Sequence, residues 1–254
     1  MRVAITGAAG VIGSVLRERL ASRYELAAFD RRRRRGAVER LDMTRPAAVV
    51  RAFGGADAVI DLAASSKLET PWPEVWKNNL PATIYALEAA RLASVKLFVF
   101  ASSNHVTGLY EHDRPYSDIV AGHTDDLSPA SVPLLDSRTP LRPDSAYALG
   151  KALGEAAARF YADAHGVRTI CLRIGTVLPD DVPKQRRHFA TLLTHADLAR
   201  LYEAALEAPP EVVHGIYYGV SANTWRFWDL EESRAALGFE PQDDAERLRP
   251  RLDG

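Results

Sequence analysis

Arg2-Val3-Ala4-Ile5-Thr6-Gly7-Ala8-Ala9-Gly10-Val11-Ile12-Gly13 is the stretch whose reading decides the fold. Residues 2–6 are an apolar run too short for a helix, and they read as a buried strand. Gly7, Gly10 and Gly13 then cross a turn into residues 11–22, where Val11, Ile12, Val15, Leu16 and Leu20 form one helical stripe. A tight turn followed by backbone without Cβ atoms lets a pyrophosphate come close, and the helix N-terminus adds free N–H groups and partial positive charge. Three glycines in seven residues also suit a plain strand–turn–helix connection. Their place at the head of an alternating chain favours the phosphate reading.

Outward from that turn, strands and helices alternate. Glu25–Asp30 reads as a second strand and residues 38–43 as a short third; Pro46–Phe53 reads as a helix and residues 56–62 as a fourth strand. A long helix over 73–92 precedes a fifth strand over 96–101 that reads as fully buried. Residues 102–143 are rich in Pro, Asp and Ser and carry no period. A helix over 144–165 follows, then a sixth strand at Arg168–Ile174. Apolar runs without alternation, separated by helices, predict a parallel sheet covered on both faces. The expected fold class is α/β, a Rossmann-type doubly wound parallel sheet spanning residues 1–174. Beyond it, a helix (195–207), a strand (216–220) and a short helix (230–237) are too little for an independent core. Residues 175–254 are expected to form a small substrate-binding cap on the carboxyl edge of the sheet, where open α/β folds bind ligands.

The 254 residues hold 32 Lys+Arg against 33 Asp+Glu, a formal charge of -1. No basic excess exists to hold a nucleic-acid backbone. A single cysteine, Cys171, excludes an internal disulfide and a Cys-rich metal site, and fits a reducing cytoplasm. No apolar run approaches the ~18 residues of a membrane span, and residues 2–6 run into glycines rather than into a signal-peptide cleavage region. The expectation is a soluble cytoplasmic protein without nucleic-acid, membrane or metal partners.

Asp30 closes the second strand, where an acid accepts hydrogen bonds from both ribose hydroxyls of an adenosine. Its charge repels a 2′-phosphate and favours NAD over NADP. Arg31 opens a run of five arginines at 31–35; one of these pairing with a 2′-phosphate would favour NADP, whereas a solvated loop would not matter. Asp42, after the third strand, stands either to receive the adenine amine or to cap the next helix. Ala63 and Ala64 follow the fourth strand and let the cofactor backbone pass closely.

Tyr147-Ala148-Leu149-Gly150-Lys151 places a phenol and an ammonium on one helix face. The ammonium is expected to lower the tyrosine pKa from about 10 toward working pH. The phenolate then takes a proton from a substrate hydroxyl while hydride leaves the same carbon. With nine tyrosines and five lysines, chance gives about 0.2 Tyr-x-x-x-Lys pairs, and this is the one present. Ser102, Ser103, Asn104 and His105 follow the fifth strand, and either terminate it or hold the substrate oxygen.

With Gly7-x-x-Gly10-x-x-Gly13, Asp30, Asp42, Asn79, Ser103 and Tyr147-x-x-x-Lys151, the chain resembles the extended short-chain dehydrogenase/reductases (the NAD-dependent epimerase/dehydratase family). Phe98-Val99-Phe100-Ala101-Ser102-Ser103-Asn104-His105, Arg173-Ile174-Gly175-Thr176, Thr194-His195-Ala196-Asp197 and Tyr218-Gly219-Val220-Ser221-Ala222-Asn223 are similar to segments of uronate dehydrogenases. Those enzymes oxidise C1 of D-glucuronate or D-galacturonate with NAD, giving an aldarolactone. The resemblance implies an NAD site of Gly7, Gly10, Val11, Ile12, Gly13, Asp30, Arg31, Asp42, Met43, Leu62, Ala63, Ala64, Asn79, Tyr147, Lys151 and Ile174. It also implies that Ser103 bonds the C1 oxygen, that Tyr147 is the base, and that Lys151 holds the nicotinamide ribose and tunes Tyr147. Asn104, His105, Ser66 (or Ser65) and Thr176 would meet sugar hydroxyls. Arg187, or Arg186 beside it, would clamp the C6 carboxylate, because a planar guanidinium matches a carboxylate bidentately. The cluster Lys184-Gln185-Arg186-Arg187-His188 reads equally as a solvated loop. The same likeness implies a homo-oligomer through the long helices 73–92 and 144–165.

Two departures bear on the substrate. The span from His105 to Tyr147 is longer than in a uronate dehydrogenase, and residues 116–133 read as a flap, an oligomer contact or a lid. The loop over 65–76 also differs. Other readings are a sugar-nucleotide epimerase or dehydratase, an extended dehydrogenase of another small hydroxylated substrate, and a non-catalytic dinucleotide sensor. A nucleotide sugar calls for a larger C-terminal domain, a dehydratase for an Asp-Glu pair where Asn104-His105 stand, and a sensor has no use for Tyr147 and Lys151.

Overall fold

The structure is a computed structural model that describes residues 1–32 and 38–251; of the arginine run, Arg33, Arg34 and Arg35 fall outside it. Seven strands, β1 Arg2–Thr6, β2 Glu25–Asp30, β3 Val38–Arg40, β4 Ala58–Asp61, β5 Leu97–Ser103, β6 Arg168–Ile174 and β7 His214–Gly219, form one sheet. The order is β3-β2-β1-β4-β5-β6-β7 and every pairing is parallel. This is the Rossmann-like doubly wound arrangement, with its topological switch between β1 and β4.

Alternate residues of each strand face opposite cores, and both cores are apolar. Val3, Ile5, Ile60, Val99, Ile170 and Leu172 pack on one side with helices α1 (Val11–Leu20) and His195–Leu206. Ala4, Val59, Phe98, Phe100 and Cys171 pack on the other with α2 (Pro46–Phe53), α3 (Leu80–Leu92) and the helix Ala146–His165. Burial on both faces is why these strands read as continuous apolar runs rather than alternating ones. The long helix expected over 73–92 enters through a turn at Trp72–Glu74 and a π-helical stretch at Val75–Asn79 before becoming α3.

Four strands differ in extent from their sequence reading, β7 among them at His214–Gly219 against the expected 216–220. β3 stops at Arg40, since its partner β2 ends opposite it at Asp30. β4 spans Ala58–Asp61, within the expected 56–62. β5 runs on to Ser103, which pairs with Ile174 at the end of β6. Ser102 and Ser103 are therefore ladder residues, held by the sheet rather than by a loop. β7, read in the C-terminal remainder, adds to the sheet beside β6.

The aperiodic segment has structure of its own. A 3₁₀ stretch at Asn104–His112, helix α4 at Tyr116–Ala121 and a 3₁₀ turn at Pro129–Ser131 precede α5, Ala146–His165. Tyr116, Ile119, Val132 and Leu135 share a core with Tyr218, Val220, Phe227, Trp228 and Leu230. Leu135 bonds the C-terminal backbone on both sides, its N–H donating to Phe227 O at 2.8 Å and its carbonyl accepting from Asp229 N–H at 2.9 Å. This segment packs as an integral layer over β7. Helices α6 (His188–Thr191), α7 (His195–Leu206) and α8 (Glu231–Leu237) complete the fold. Among the described residues no helix is long and apolar enough to cross a membrane.

Candidate active site

Because the sheet is parallel, β1, β4, β5 and β6 all end at one edge, and a cavity of about 460 Å³ opens there. It is lined by every sequence-predicted site residue except Arg187. At one end the turn after β1 meets α1. Gly7 has φ +63°, and a Cβ there would stand 2.7 Å from Leu62 O; a Cβ on Gly13 would stand 2.6 Å from Ala8 Cα. Neither position admits a side chain, so β1, β4 and α1 come together around bare backbone. The first-turn N–H groups of α1 have no partners within the helix. Below the turn, Thr6 Oγ1 donates to Asp61 Oδ1 at 2.6 Å and accepts from Leu62 and Ala63 N–H at 3.2 Å.

Asp30 is 8% exposed, with Oδ2 accepting from Ala9 N–H at 3.1 Å and Oδ1 from Arg32 N–H at 2.9 Å. One lone pair remains on each oxygen, the pattern a vicinal diol can meet. Arg31 and Arg32 line the same end. Asp42 does not cap α2: Oδ1 accepts from Thr44 N–H and Oγ1, and these bonds hold the carboxyl below its usual range. Met43, Leu62, Ala63 and Ala64 continue the wall. Asn79 clamps the following loop, accepting from Ser65 N–H at 2.8 Å and donating to Ser65 O at 3.0 Å. Both candidate serines line the cavity; Ser65 Oγ donates to Glu74 Oε1 at 2.6 Å, and Ser66 stands beside it. The bare-backbone turn, the helix N-terminus and the paired acceptors of Asp30 fit an adenine dinucleotide.

The other end carries the chemistry. Ser145 caps α5 by accepting from Ala148 N–H at 3.1 Å, which sets the helix start so that Tyr147 and Lys151 both line the cavity. Tyr147 lies beside Ser103, whose hydroxyl favours its phenolate. Lys151 Nζ lies 5.9 Å from the Tyr147 ring centroid and donates to Ala101 O at 2.5 Å. The expected lowering of the phenol pKa is not what this arrangement produces. Burial pushes Tyr147 up to about 12, the Ser103 hydroxyl opposes that, and the Asp144 charge adds to it. Burial also brings Lys151 down to about 8, against the pull of Asp61. The ammonium is spent on a carbonyl, and desolvation outweighs charge–charge attraction.

His105 Nδ1 pairs with Asp144 Oδ2 at 2.5 Å, which leaves Nε2 as the ring's other polar atom. Burial acts to raise the Asp144 pKa, but the bond and charge of His105, with Arg187 nearby, hold it below its usual range. Asn104 Nδ2 is buried without a hydrogen-bond partner among the described residues. An unsatisfied buried donor costs about 1–3 kcal/mol, so its position on the cavity wall marks it for a ligand oxygen.

Of the two candidate arginines, Arg186 is exposed and packs against Gly122 of α4, while Arg187 turns toward Thr176 on the cavity wall. Its fork is occupied. Nε and Nη2 donate to the two Glu111 carboxylate oxygens at 2.6 and 2.7 Å, and Nη1 donates to Thr176 Oγ1 at 3.2 Å. Glu111 and Asp144 are the polar residues that the sequence reading missed. Asp144 stands at the start of the helix read over 144–165, and that reading gives it no role in the site. Glu111 lies in an aperiodic stretch, 76 positions from its partner, and left no local signal.

Comparison with known proteins agrees with this geometry. Residues 3–215 match the model of the NAD dependent epimerase/dehydratase family. The uronate dehydrogenase of Pseudomonas syringae pv. tomato is 35% identical over 99% of this chain and 86% of its own length. The L-arabinose 1-dehydrogenase (NAD(P)(+)) of Haloferax volcanii is 34% identical, over 96% of this chain and 97% of its own. The solved structure of uronate dehydrogenase from Agrobacterium tumefaciens aligns with a TM-score of 0.83 at 31% identity, covering 99% of this chain and 88% of that one. The chain belongs to the NAD dependent epimerase/dehydratase family, as an NAD-dependent dehydrogenase.

Proposed function

We propose that this dehydrogenase oxidises the anomeric carbon of a hexuronate, D-glucuronate or D-galacturonate, to the aldarolactone. The observation that carries the reading is the meeting of Ser103, Tyr147 and Lys151 on one cavity wall, beside an Asn104 Nδ2 that has no partner among the described residues, at the carboxyl edge of β5. Gly7, Gly10, Val11, Ile12, Gly13 and Asp30 would hold the cofactor's adenosine half, and Lys151 with Ile174 the other end. When bound, NAD+ supplies the hydride acceptor and a positive charge on its nicotinamide ring. Ser103 donates to the C1 oxygen, and the Tyr147 phenolate takes the C1 hydroxyl proton as the C1–H bond breaks and the C1=O bond forms. A positive charge in this desolvated site favours the phenolate, as does the Ser103 hydroxyl. Asn104, His105 Nε2, Ser66 and Thr176 orient the ring hydroxyls, so that only a correctly placed C1–H reacts. In this reading residues 1–174 bind the cofactor and residues 175–254 wall the sugar.

A second reading, a neutral aldose, is favoured by the Glu111 carboxylate on the Arg187 fork; the arabinose dehydrogenase relative is consistent with it. NAD+ reduction measured with glucuronate, galacturonate, mannuronate, their neutral aldoses and UDP-glucose tests both. Turnover with UDP-glucose alone would refute oxidation of a free sugar. The proposal includes a homo-oligomer through α3 and α5, on which Leu92, Leu149, Leu153 and Phe160 are exposed. Light scattering should give the mass of a dimer or a larger assembly, and a monomer at micromolar concentration would remove this part.

A further inference from the structure

Behind the Thr176 wall of the cavity stands a cation, Arg187, whose charge is answered before any substrate arrives. Arg187 is 20% exposed and Glu111 13%, and their paired bonds are the bidentate match of guanidinium and carboxylate. Two of the five guanidinium N–H donors are thereby taken and a third goes to Thr176, which itself shares a hydrogen bond with Thr191 at 2.8 Å. The second carboxylate of this region, Asp144, also feels Arg187. The charged groups behind Thr176 and His105 are thus the carboxylates of Glu111 and Asp144 and the Arg187 guanidinium, while Lys151 lines the cavity on the Tyr147 side and gives its ammonium to Ala101 O. A sugar bearing a carboxylate meets a region with no net positive charge and a guanidinium whose planar fork is filled. The Thr176 hydroxyl and the outer edge of Nη1 and Nη2 remain, and those suit a neutral hydroxyl as well as an anion.

We infer that Glu111 is a positioning residue that holds Arg187 neutralised, and so sets the site's selection between sugar acids and neutral aldoses. This rests on the reading of the cavity as a sugar C1 site. With the carboxylate in place the enzyme draws little advantage from a substrate's own charge. Without it, Arg187 becomes an uncompensated cation beside the sugar, and electrostatic attraction in a partly desolvated pocket acts on acids alone.

Glu111→Gln tests this, since the amide keeps the side-chain shape and one acceptor while removing the charge. KM and kcat for D-glucuronate and D-glucose are measured at saturating NAD+. Calorimetric affinities for the same two sugars are measured with NADH present, where no turnover occurs. The expected result is at least a tenfold gain in glucuronate affinity and fall in its KM. Glucose values stay within twofold, and kcat for either changes less than threefold. Glu111→Asp restores the charge and returns the ratio toward wild type. Equal changes for both sugars, or no change in the ratio, overturn the inference; so does binding of neither sugar by either protein. If Glu111→Gln does not fold, Glu111→Ala is the second variant: it too removes the carboxylate from the Arg187 fork, the ratio moves toward glucuronate, and an unmoved ratio is a refutation. A gain in glucuronate affinity without NADH formation in the NAD+ assay would support Glu111 and sink C1 oxidation. NADH formation with an unchanged ratio would do the reverse.

Discussion

Tyr147→Phe lowers kcat by about 10²–10⁴-fold, the range over which a positioned proton acceptor contributes, while NAD+ affinity measured by calorimetry stays within twofold. The ring is buried against the cavity wall and Phe preserves its packing; what disappears is the oxygen beside Ser103. The pH dependence separates a base from a structural tyrosine. A proton acceptor must be deprotonated, so with Tyr147 pushed up to about 12 the reactive fraction increases with pH. Lys151, down at about 8, must keep its proton to hold the site's positive charge. Below pH 8 the product of the two fractions rises about tenfold per pH unit. Above pH 8 the gain in phenolate and the loss of ammonium cancel, and kcat/KM levels off. In Tyr147→Phe the residual rate loses this slope. A wild-type profile flat from pH 6 to 8 would assign the proton to another group, and undiminished turnover in the variant would remove Tyr147 from the chemistry.

How much of this was legible in the sequence depended on how local each feature is. The glycine turn, the two-sided strands and the Tyr147–Lys151 spacing are set by neighbours within a few residues, and β6 came out at its read bounds. Features that depend on remote partners did not. Lys151 faces Tyr147 by helix geometry, yet its ammonium goes to Ala101, 50 positions earlier, because a buried strand end presents a carbonyl there. Burial then raises the Tyr147 pKa, with no opposing pull from Lys151. Arg187 was placed beside the sugar end by likeness alone. Its neutralisation by Glu111 requires the 3₁₀ stretch after β5 to meet the segment before α6, a pairing without periodicity or turn chemistry. The Ser65–Glu74 bond likewise depends on the turn that leads into the π-helical stretch.

Replacing Glu155 by Leu destabilises the chain by about 3–5 kcal/mol, the cost of stranding a buried charge. Glu155 and Arg173 are 3% and 1% exposed, and they join α5 to β6 at the centre of the molecule. Glu155 Oε1 accepts from Arg173 Nε at 2.9 Å and from Ser102 Oγ at 2.6 Å, and Oε2 accepts from Arg173 Nη2 at 2.9 Å. Arg173 Nη1 donates to Tyr218 Oη at 3.1 Å, and that hydroxyl shares a bond with Thr107. Burial acts against the Arg173 charge, and the bond and charge of Glu155 outweigh it and hold the guanidinium pKa above its usual value. Remove the carboxylate and the guanidinium has no counter-charge within a core of Phe, Leu and Trp side chains. For a chain of this size each kcal/mol moves Tm by about 2–4 °C, so a melt about 6–20 °C lower is expected. Glu155→Leu with Arg173→Met takes both charges out of the core, and most of the loss returns, because a desolvated ion pair adds little over apolar packing of similar volume. The two melts together decide the matter: a single variant within 1 kcal/mol of wild type, or a double variant no better than the single, would mean that this pair is not what ties α5 to the strands bearing Ser102 and Ser103.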